Sequence, residues 1–535
     1  MKVSKLGAWR ELWVWLCGFM AQGRLWRWVA WGLWVSVTVY TVAVSVLCTQ
    51  PRRPPLLLLP IVLALVAMGV AWIWRWLTQI RFEARAGEAP LPQPWRVFWG
   101  VALGYLASLA LCGYFTSPDT HNQWQQVLSG RFNDWHPVLH TACLWLVSRV
   151  WRAQSFVVAV QMGLFAGLCA WQCTLMRRYG YRAVVVWVVV GFAALSPWSM
   201  LLLRVLWKDT AFALAGWALT ICTLHLWHTR GRWLWHPGHI VLLLSVVVMA
   251  SFLRHNGIFL TLPLLVLLPC CVEGVRQRLA AATVGVIALL CLVGYIGVRR
   301  ALTSLNGPIE PTRVAQTFPE AVGLPMTMLG EAFVREGERV PPAARELLLK
   351  MGSEAEWREA WQGTFNSVKF AFAGKAQAQP GRRTTGQILN EEVSPRTFFM
   401  LCWETFKAVP KPALAACLHL TSLAWAPFPA TAWEVIPVTN GLLGRDLAFL
   451  CTALMRPPIG WLFSTPGFYA LLWVVVGTYA LIRHGLRALP LFLPFLFYLA
   501  GTALLLTGWD ARFFYVTALC IAPTLAGLLH ATEGE

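Results

Sequence analysis

VFWGVALGYLASLALCGYFTSPDTHNQWQQVLSGRFNDWHPVLH, residues 97–140, joins an apolar run to a dense polar one. The run 97–115 is long enough to cross a hydrocarbon core of roughly 30 Å as a helix. Directly after it come Asp119, His121, Asn122, Gln123, Asp134, His136 and His140. Two readings stand for so many polar groups so close to lipid. Ser-Pro-Asp-Thr is good turn and helix-cap chemistry, which suits a solvated loop. The same residue types also suit a reactive site at a membrane surface, and the rest of the chain must decide.

The 535 residues are 58% hydrophobic and 13% charged, with a mean hydropathy of +0.58. That is far more apolar than a soluble globular chain, and it implies an all-α polytopic membrane protein. The 32 Trp suit membrane interfaces. The net charge of +20 does not point to nucleic acid, because of where it lies. Residues 301–400 carry 11 Lys+Arg against 11 Asp+Glu, so the excess sits mostly in short loops, as the positive-inside bias requires. No basic patch interleaved with aromatics is left over. Most of the 14 cysteines lie in apolar runs, with no C-x-x-C pair and no zinc spacing, so they read as small core residues.

Hydropathy, oriented by Lys and Arg, orders the chain. The basic N-terminus, MKVSKLGAWRELWVWLCGFMAQGRLWRW, reads as an uncleaved amphipathic helix on the cytoplasmic surface. Spans are expected at 28–47, 56–77 and 97–115, the last emerging on the extracytoplasmic side. A short helix at 141–151 then precedes spans at 156–175, 184–201, 210–227, 239–252, 258–272 and 283–298. Residues 299–400 contain polar helical stretches at 342–350 and 354–362 and no spanning run, so they form a small extracytoplasmic domain. The Pro-interrupted runs 414–428 and 447–459 suit a hairpin, re-entrant pieces or surface helices. Spans at 467–482 and 490–506 and a final one complete the chain, about 11 to 13 in all. The organisation is therefore an N-terminal membrane module (1–298) with its first long loop at 116–140, the domain at 299–400, and a C-terminal membrane module (401–535).

This topology puts four polar clusters on one face: 119–140, Lys208-Asp209, Arg254-His255-Asn256-Gly257 and Asp510-Ala511-Arg512. Each alone suits an interfacial anchor, and Asp209 also suits a helix cap. Jointly they suit chemistry on a lipid-linked phosphate, whose chain stays in the bilayer and whose anionic head lies at the surface. Lys208, Arg254 and Arg512 can hold the phosphate, Arg by its bidentate fork and Lys as a point charge. A carboxylate can take the proton from an attacking hydroxyl. His121, Gln123, Asp134, His136 and Asn256 are candidate acceptor or accessory contacts. His136 and His140, spaced i and i+4, suit a metal with Asp134, Asp119 or Asp209, or ordinary hydrogen-bonded histidines at an interface.

The motifs D-T-x-x-Q-W (119–124), F-N-D-W-H-P-x-x-H-T (132–141), S-P (196–197), W-K-D (207–209), R-H-N-G (254–257) and A-R-F-x-Y (511–515) carry a resemblance. The chain resembles the GT-C superfamily, integral membrane glycosyltransferases that use polyprenyl-phosphate-linked sugars and include protein O-mannosyltransferases and aminoarabinose transferases. More closely, it resembles a bacterial group of largely uncharacterised GT-C-like proteins. The resemblance covers roughly residues 97–257 and the last spans. It implies a GT-C-like bundle in the bacterial inner (cytoplasmic) membrane, with the active site on the extracytoplasmic face. Asp119 would be the catalytic base and Asp209 a second catalytic or positioning acid. The donor would be a polyprenyl-phosphate-linked sugar and the acceptor an envelope lipid, glycan or protein. The resemblance leaves a divalent metal, Mg or Mn, open. Two departures stand out: Thr120 follows Asp119 where the superfamily has an adjacent acidic pair, and about two extra spans precede the first loop. The alternatives are an O-antigen-type oligosaccharide ligase, a lipid-glycan flippase or transporter, and a membrane scaffold. A transporter would place ionisable groups near the bilayer midplane.

Overall fold

The computed structural model describes residues 91–304, 318, 321–426, 439–456, 460 and 465–530. The expected N-terminal surface helix and the spans at 28–47 and 56–77 lie outside the described residues. Those that are described form helices joined by short turns, with no strand among them beyond one isolated bridge. Among the described residues, six helical stretches are long and apolar enough to cross a membrane. The longest, Pro466–Leu504, folds back at Gly485 (φ +62°) into two helices.

The first helix, α1 (Pro94–Cys112), starts with proline in its first turn, where a missing N–H costs nothing, and stops at Gly113, whose φ is +72°. The polar stretch after it is not a loop: it forms α2 (Pro118–Ser129), whose N-cap Ser117 accepts a hydrogen bond from the Thr120 amide at 3.1 Å. Apolar helices α3 (Val138–Ser148) and α4 (Gln154–Arg178) follow. The expected span at 184–201 is broken. It becomes α5 (Ala183–Leu195) and the single turn α6 (Pro197–Leu202), because Pro197 has no N–H to continue the helix. Likewise the run 258–272 yields a short helix and a 3-10 turn, with Pro263 and Pro269 interrupting it.

At the centre stands α7 (Lys208–His228), apolar on all sides and almost wholly buried, as a helix of that pattern must be. It packs against α4, α8 (Pro237–Phe252) and the last helix, while α9 (Ile258–Leu267) and α10 (Val275–Ser304) close one side of the bundle.

A second hydrophobic core, separate from that of the bundle, is built by α11 (Gly323–Glu336), α12 (Pro342–Met351), α13 (Glu354–Ala360), α14 (Phe365–Ala378), α15 (Thr385–Glu391) and α16 (Pro395–Ala408). Its middle is Trp357, fully buried, with its indole N–H donated to Leu348 O at 2.9 Å and Phe333 and Phe372 edge-on. Capping boxes at Ser353/Glu356 and Thr384/Gln387 start two of its helices. Leu401 and Val409 belong to this core, so its apolar packing runs past residue 400. The run at 414–428 is mostly α17 (Pro410–Trp425), packed on α11 and on the helix Pro466–His484; the run at 447–459 overlaps α18 (Gly444–Leu454). Next come α19 (Pro466–His484) and α20 (Leu489–Leu504), then α21 (Tyr515–Leu529). The second core meets the bundle at the loop after α20, where the Asn366 amide donates to Thr507 O at 3.1 Å.

One buried cation sets where the polar stretch begins. The guanidinium of Arg204, which is 2% exposed, donates to Ser108 O and Gly113 O, both at 3.0 Å, to Met200 O at 3.0 Å and to Ser108 Oγ at 2.6 Å. With the Phe115 amide bonded to Arg204 O at 3.1 Å, this fixes the end of α1 alongside residues 204–205. Gly113 also rests on Gly441, where a Cβ would lie 2.0 Å from Cys112 C. Two residues on, the Trp207 indole donates to Ser117 Oγ at 2.6 Å, so α2 starts beside α7. Arg204→Met takes the guanidinium donor from Gly113 O and Ser108 Oγ, at roughly 1–3 kcal/mol each. It is expected to lower the unfolding temperature in detergent markedly, with Arg204→Lys recovering part of the loss. A wild-type melting curve for the methionine variant would refute this role.

Candidate active site

Each of the four polar clusters ends a different apolar helix or opens the next one. Asp119 lies in the first turn of α2, Lys208 and Asp209 begin α7, Arg254 follows α8, and Asp510 and Arg512 follow α20. The folded bundle brings these ends together, across as many as 393 positions of sequence. Both acids at helix starts meet the positive end of the helix dipole.

Asp209 has no side-chain exposure, and its charge is compensated from two sides. Arg254 Nη1 lies 2.5 Å from Oδ1 and Arg512 Nε 3.6 Å from Oδ2. Among the described residues neither oxygen has a well-aligned hydrogen-bond partner, so charge rather than hydrogen-bond geometry holds Asp209 there. Arg512 also reaches Asp510 Oδ2 at 2.6 Å and Asp119 Oδ2 at 3.3 Å. Lys208 Nζ approaches the same Asp119 oxygen at 3.5 Å. Three carboxylates and three cations thus form one charge-balanced network. Aromatic faces line it: Arg512 lies 4.3 Å over Trp207 and Arg254 4.0 Å over Phe513. Arg254 is further held by Tyr498 OH at 3.4 Å and Phe513 O at 3.3 Å, and Tyr498 OH itself donates to Phe513 O at 2.7 Å.

The two principal acids differ in access. Asp119 keeps 30% of its side chain exposed, and both cations sit on Oδ2. Burial opposes its ionisation, but Lys208 and Arg512 outweigh it and hold the carboxyl well below the usual carboxylate range. Asp510 is pushed up by burial despite Arg512 beside it.

The remaining candidates divide. Gln123 joins α2 to α3, donating to His140 Nδ1 at 2.9 Å and Thr141 Oγ1 at 3.0 Å, so both Gln123 and His140 are committed to packing. Asn256 donates to Thr502 Oγ1 at 2.8 Å, tying the turn after α8 to α20. His121 is exposed on α2. Asp134 lies in the turn between α2 and α3, beside Trp135 and His136. His136 is buried, with Nδ1 3.3 Å from Lys208 Nζ and its ring stacked on Trp135.

Four of the five residues considered for a metal are already engaged by other groups. Asp119 and Asp209 already face Lys or Arg, His140 Nδ1 is bonded to Gln123, and His136 Nδ1 faces an ammonium. Among the described residues no group of three or more His, Cys, Asp or Glu is placed to hold a metal ion. Sequence reasoning places Asp510 in a polar cluster without giving it a role, and it does not single out Ser117, Trp207, Phe513 or Tyr498 as site residues. Tyr498 left only one signal, a hydroxyl in the middle of an apolar run.

Burial, reinforced by Lys208, pushes His136 down to about 3, and burial with Lys208 pushes His255 down to about 4. A histidine with a depressed folded value binds a proton in the unfolded chain first. Its contribution is therefore intact above the ordinary value of 6.5 and lost as pH falls towards the folded value, at roughly 1.4 kcal/mol per pH unit for each group. Asp119 has the same sign, and its contribution is lost only as pH falls below its ordinary value of 3.8. The unfolding temperature is expected to fall steadily between pH 6.5 and 4, with a shallower slope in His136→Gln, as thermal scans in a pH series would show. No protein-family model matches this chain, and no curated protein is significantly similar to it.

Proposed function

We propose that this protein is a GT-C-type glycosyltransferase that moves a sugar from a polyprenyl-phosphate carrier to an acceptor hydroxyl of the cell envelope. The reaction would take place on the extracytoplasmic face of a bacterial inner membrane. One observation carries the reading: Asp119, Lys208, Asp209, Arg254 and Arg512, from four separate parts of the chain, meet in a single network at one end of a bundle of apolar helices. A lipid-linked donor presents its phosphate at just such an end, with its chain along the helices.

In this reading Asp119 is the base. Its Oδ2 holds the two cations, and Oδ1 is left to take the proton from the acceptor hydroxyl. The acceptor oxygen attacks the anomeric carbon, and the bond from that carbon to the phosphate oxygen breaks. The electron pair leaves with polyprenyl phosphate, and the proton ends on Asp119. Lys208 and Arg512 stabilise the charge that develops on the departing phosphate. Arg254, expected from sequence to be a phosphate contact, has another task here: it keeps Asp209 charged, and Asp209 in turn orients Arg512.

The test is the turnover of polyprenyl-phosphate-linked sugars in membranes, at matched expression, with released polyprenyl phosphate quantified. Asp119→Asn is expected to keep the fold and lose about 100-fold to 10,000-fold in rate. Full activity in that variant would sink the assignment of the base, and no release from any donor by wild type would sink the donor class. Because Asp119 is ionised well below the usual carboxylate range, its deprotonation should give the pH–rate profile no acid limb above about pH 4. An acid limb near neutrality that survives in every variant except Asp119→Asn would contradict this.

A further inference from the structure

The surface of the helical domain is laced with ion pairs: Arg345 meets Glu354 at 2.6 Å, Lys375 meets Glu356 at 3.3 Å and Arg383 meets Glu392 at 2.8 Å. The helix α16 departs from this pattern. Among the described residues, none of its charged side chains, Arg396, Glu404 and Lys407, enters such a pair. The helix is apolar on two faces. Phe398 and Leu401 belong to the second core, and Thr405 is buried with them on the inner face. On the outer face Phe399 is 52% exposed, Met400 52% and Trp403 59%. Positions 399, 400, 403 and 406 follow helical spacing, so these side chains form one stripe. Trp403 stacks on Phe406, with centroids 5.7 Å apart and planes 17° from parallel.

Two further observations say what covers the stripe. The first is its place in the fold. Val409, which closes α16, packs in the second core, whereas Leu420, Leu423 and Ala424 of α17 pack in the core of the bundle. From Val409 to Leu420 is about 16 Å of helix, so α16 ends close to the rim of the bundle. Leu414, between the two, is 48% exposed and carries the apolar surface across the join. The rim is the one where the polar network lies, since Asn366 of the domain is bonded to Thr507, in the loop that leads to Asp510 and Arg512. The second observation is charge. Arg396 and Lys407 stand exposed towards the two ends of α16, and Lys411 stands just beyond, against the single acid Glu404.

We infer that the outer face of α16 is a membrane-docking surface, lying in the head-group region of the bilayer on the side where the polar network lies. Phe399, Met400 and Trp403 enter the apolar boundary, and Arg396, Lys407 and Lys411 reach the lipid phosphates. An amphipathic helix with an aromatic face and flanking cations has the chemistry for this position. Its long cations can lay their stems on the apolar surface and keep their charges at the head groups. A second copy of the chain would cover the stripe equally well, but it would not account for cations on both sides of it or for its continuity with the rim of a bundle of apolar helices.

The inference can be tested on the full-length protein in nanodiscs of phosphatidylethanolamine and phosphatidylglycerol. The photocrosslinker benzoylphenylalanine replaces Phe399 in one variant and Trp403 in another, so that a failure to fold in either leaves the other. After irradiation, mass spectrometry is expected to find a gain of one phospholipid mass at each position, as it should when the exposed Leu290 of the span α10 is replaced. Glu338, with its side chain 85% exposed and paired to Arg345 at 3.0 Å, should give no adduct when replaced in the same way. An adduct at 290 with none at 399 or 403 would overturn the inference, as would equal labelling at 338. Crosslinked dimers in place of lipid adducts would overturn it too and assign the face to a second copy. Exchanging phosphatidylglycerol for phosphatidylcholine should lower the yield at 403 and not at 290; an unchanged yield at 403 would overturn the part given to the three cations. None of these readouts involves sugar transfer, so the docking surface stands or falls apart from the proposed reaction.

Discussion

A carboxylate with no contact to water is the constraint on which this bundle depends. Asp209 stands in the first turn of the most deeply buried helix, and an isolated charge there would cost far more than the fold's net stability. It is tolerable only if Arg254 and Arg512 arrive together, one from the end of α8 and the other from the turn before α21. The packing of three helices is therefore conditional on a charge arrangement. Removing one partner of a buried pair typically costs about 3–5 kcal/mol because the other is left uncompensated. Phe513 and Tyr498 serve the same end. They fill the space around Arg254, and Tyr498 spends its hydroxyl on Phe513 O, which fixes the turn that carries Arg512.

Arg204 solves the opposite problem with different means. It is a buried cation served by three carbonyls and a hydroxyl, so its charge is spread over dipoles that other helix ends leave unsatisfied. The cation closes the end of α1, and Trp207 then closes the start of α2 through Ser117. Asp119 is thereby set beside Lys208. The site is positioned by groups that take no part in its charge balance.

This division explains what was legible in the sequence. Polar clusters at the ends of apolar runs can be read because a charge at that boundary needs a reason, and the up-and-down order of the runs assigns each cluster to an end of the bundle. The pairing within the network could not be read. Whether Arg254 faces Asp209 or open space depends on the rotation of α8 and the turn after it, and hydropathy carries no information on rotation. The same holds for Gln123, whose amide reads as a ligand contact but is used up on His140 and Thr141. Pro197 was visible all along, but a run of hydropathy from 184 to 201 conceals the helix break that it forces. The second core runs past residue 400 for a similar reason. Leu401 and Val409 are apolar side chains near the start of an apolar run, and only packing shows which core takes them.

Two aspartates of identical chemistry end with different capacities, and environment alone separates them. Asp209 is sealed and faces a guanidinium at each oxygen, so a change in its charge would leave Arg254 without its acidic partner and loosen the hold on Arg512; it suits a permanent counter-charge. Asp119 is partly exposed, and its cations crowd onto one oxygen. It can gain a proton at the other oxygen without dismantling the network around it. Arg512 links the two, with Nε between Asp209 and Asp510 and Nη2 on Asp119. The loop that delivers Arg512 is tied on its other side to the second core through Asn366 and Thr507. The second core and Arg512 thus share one loop.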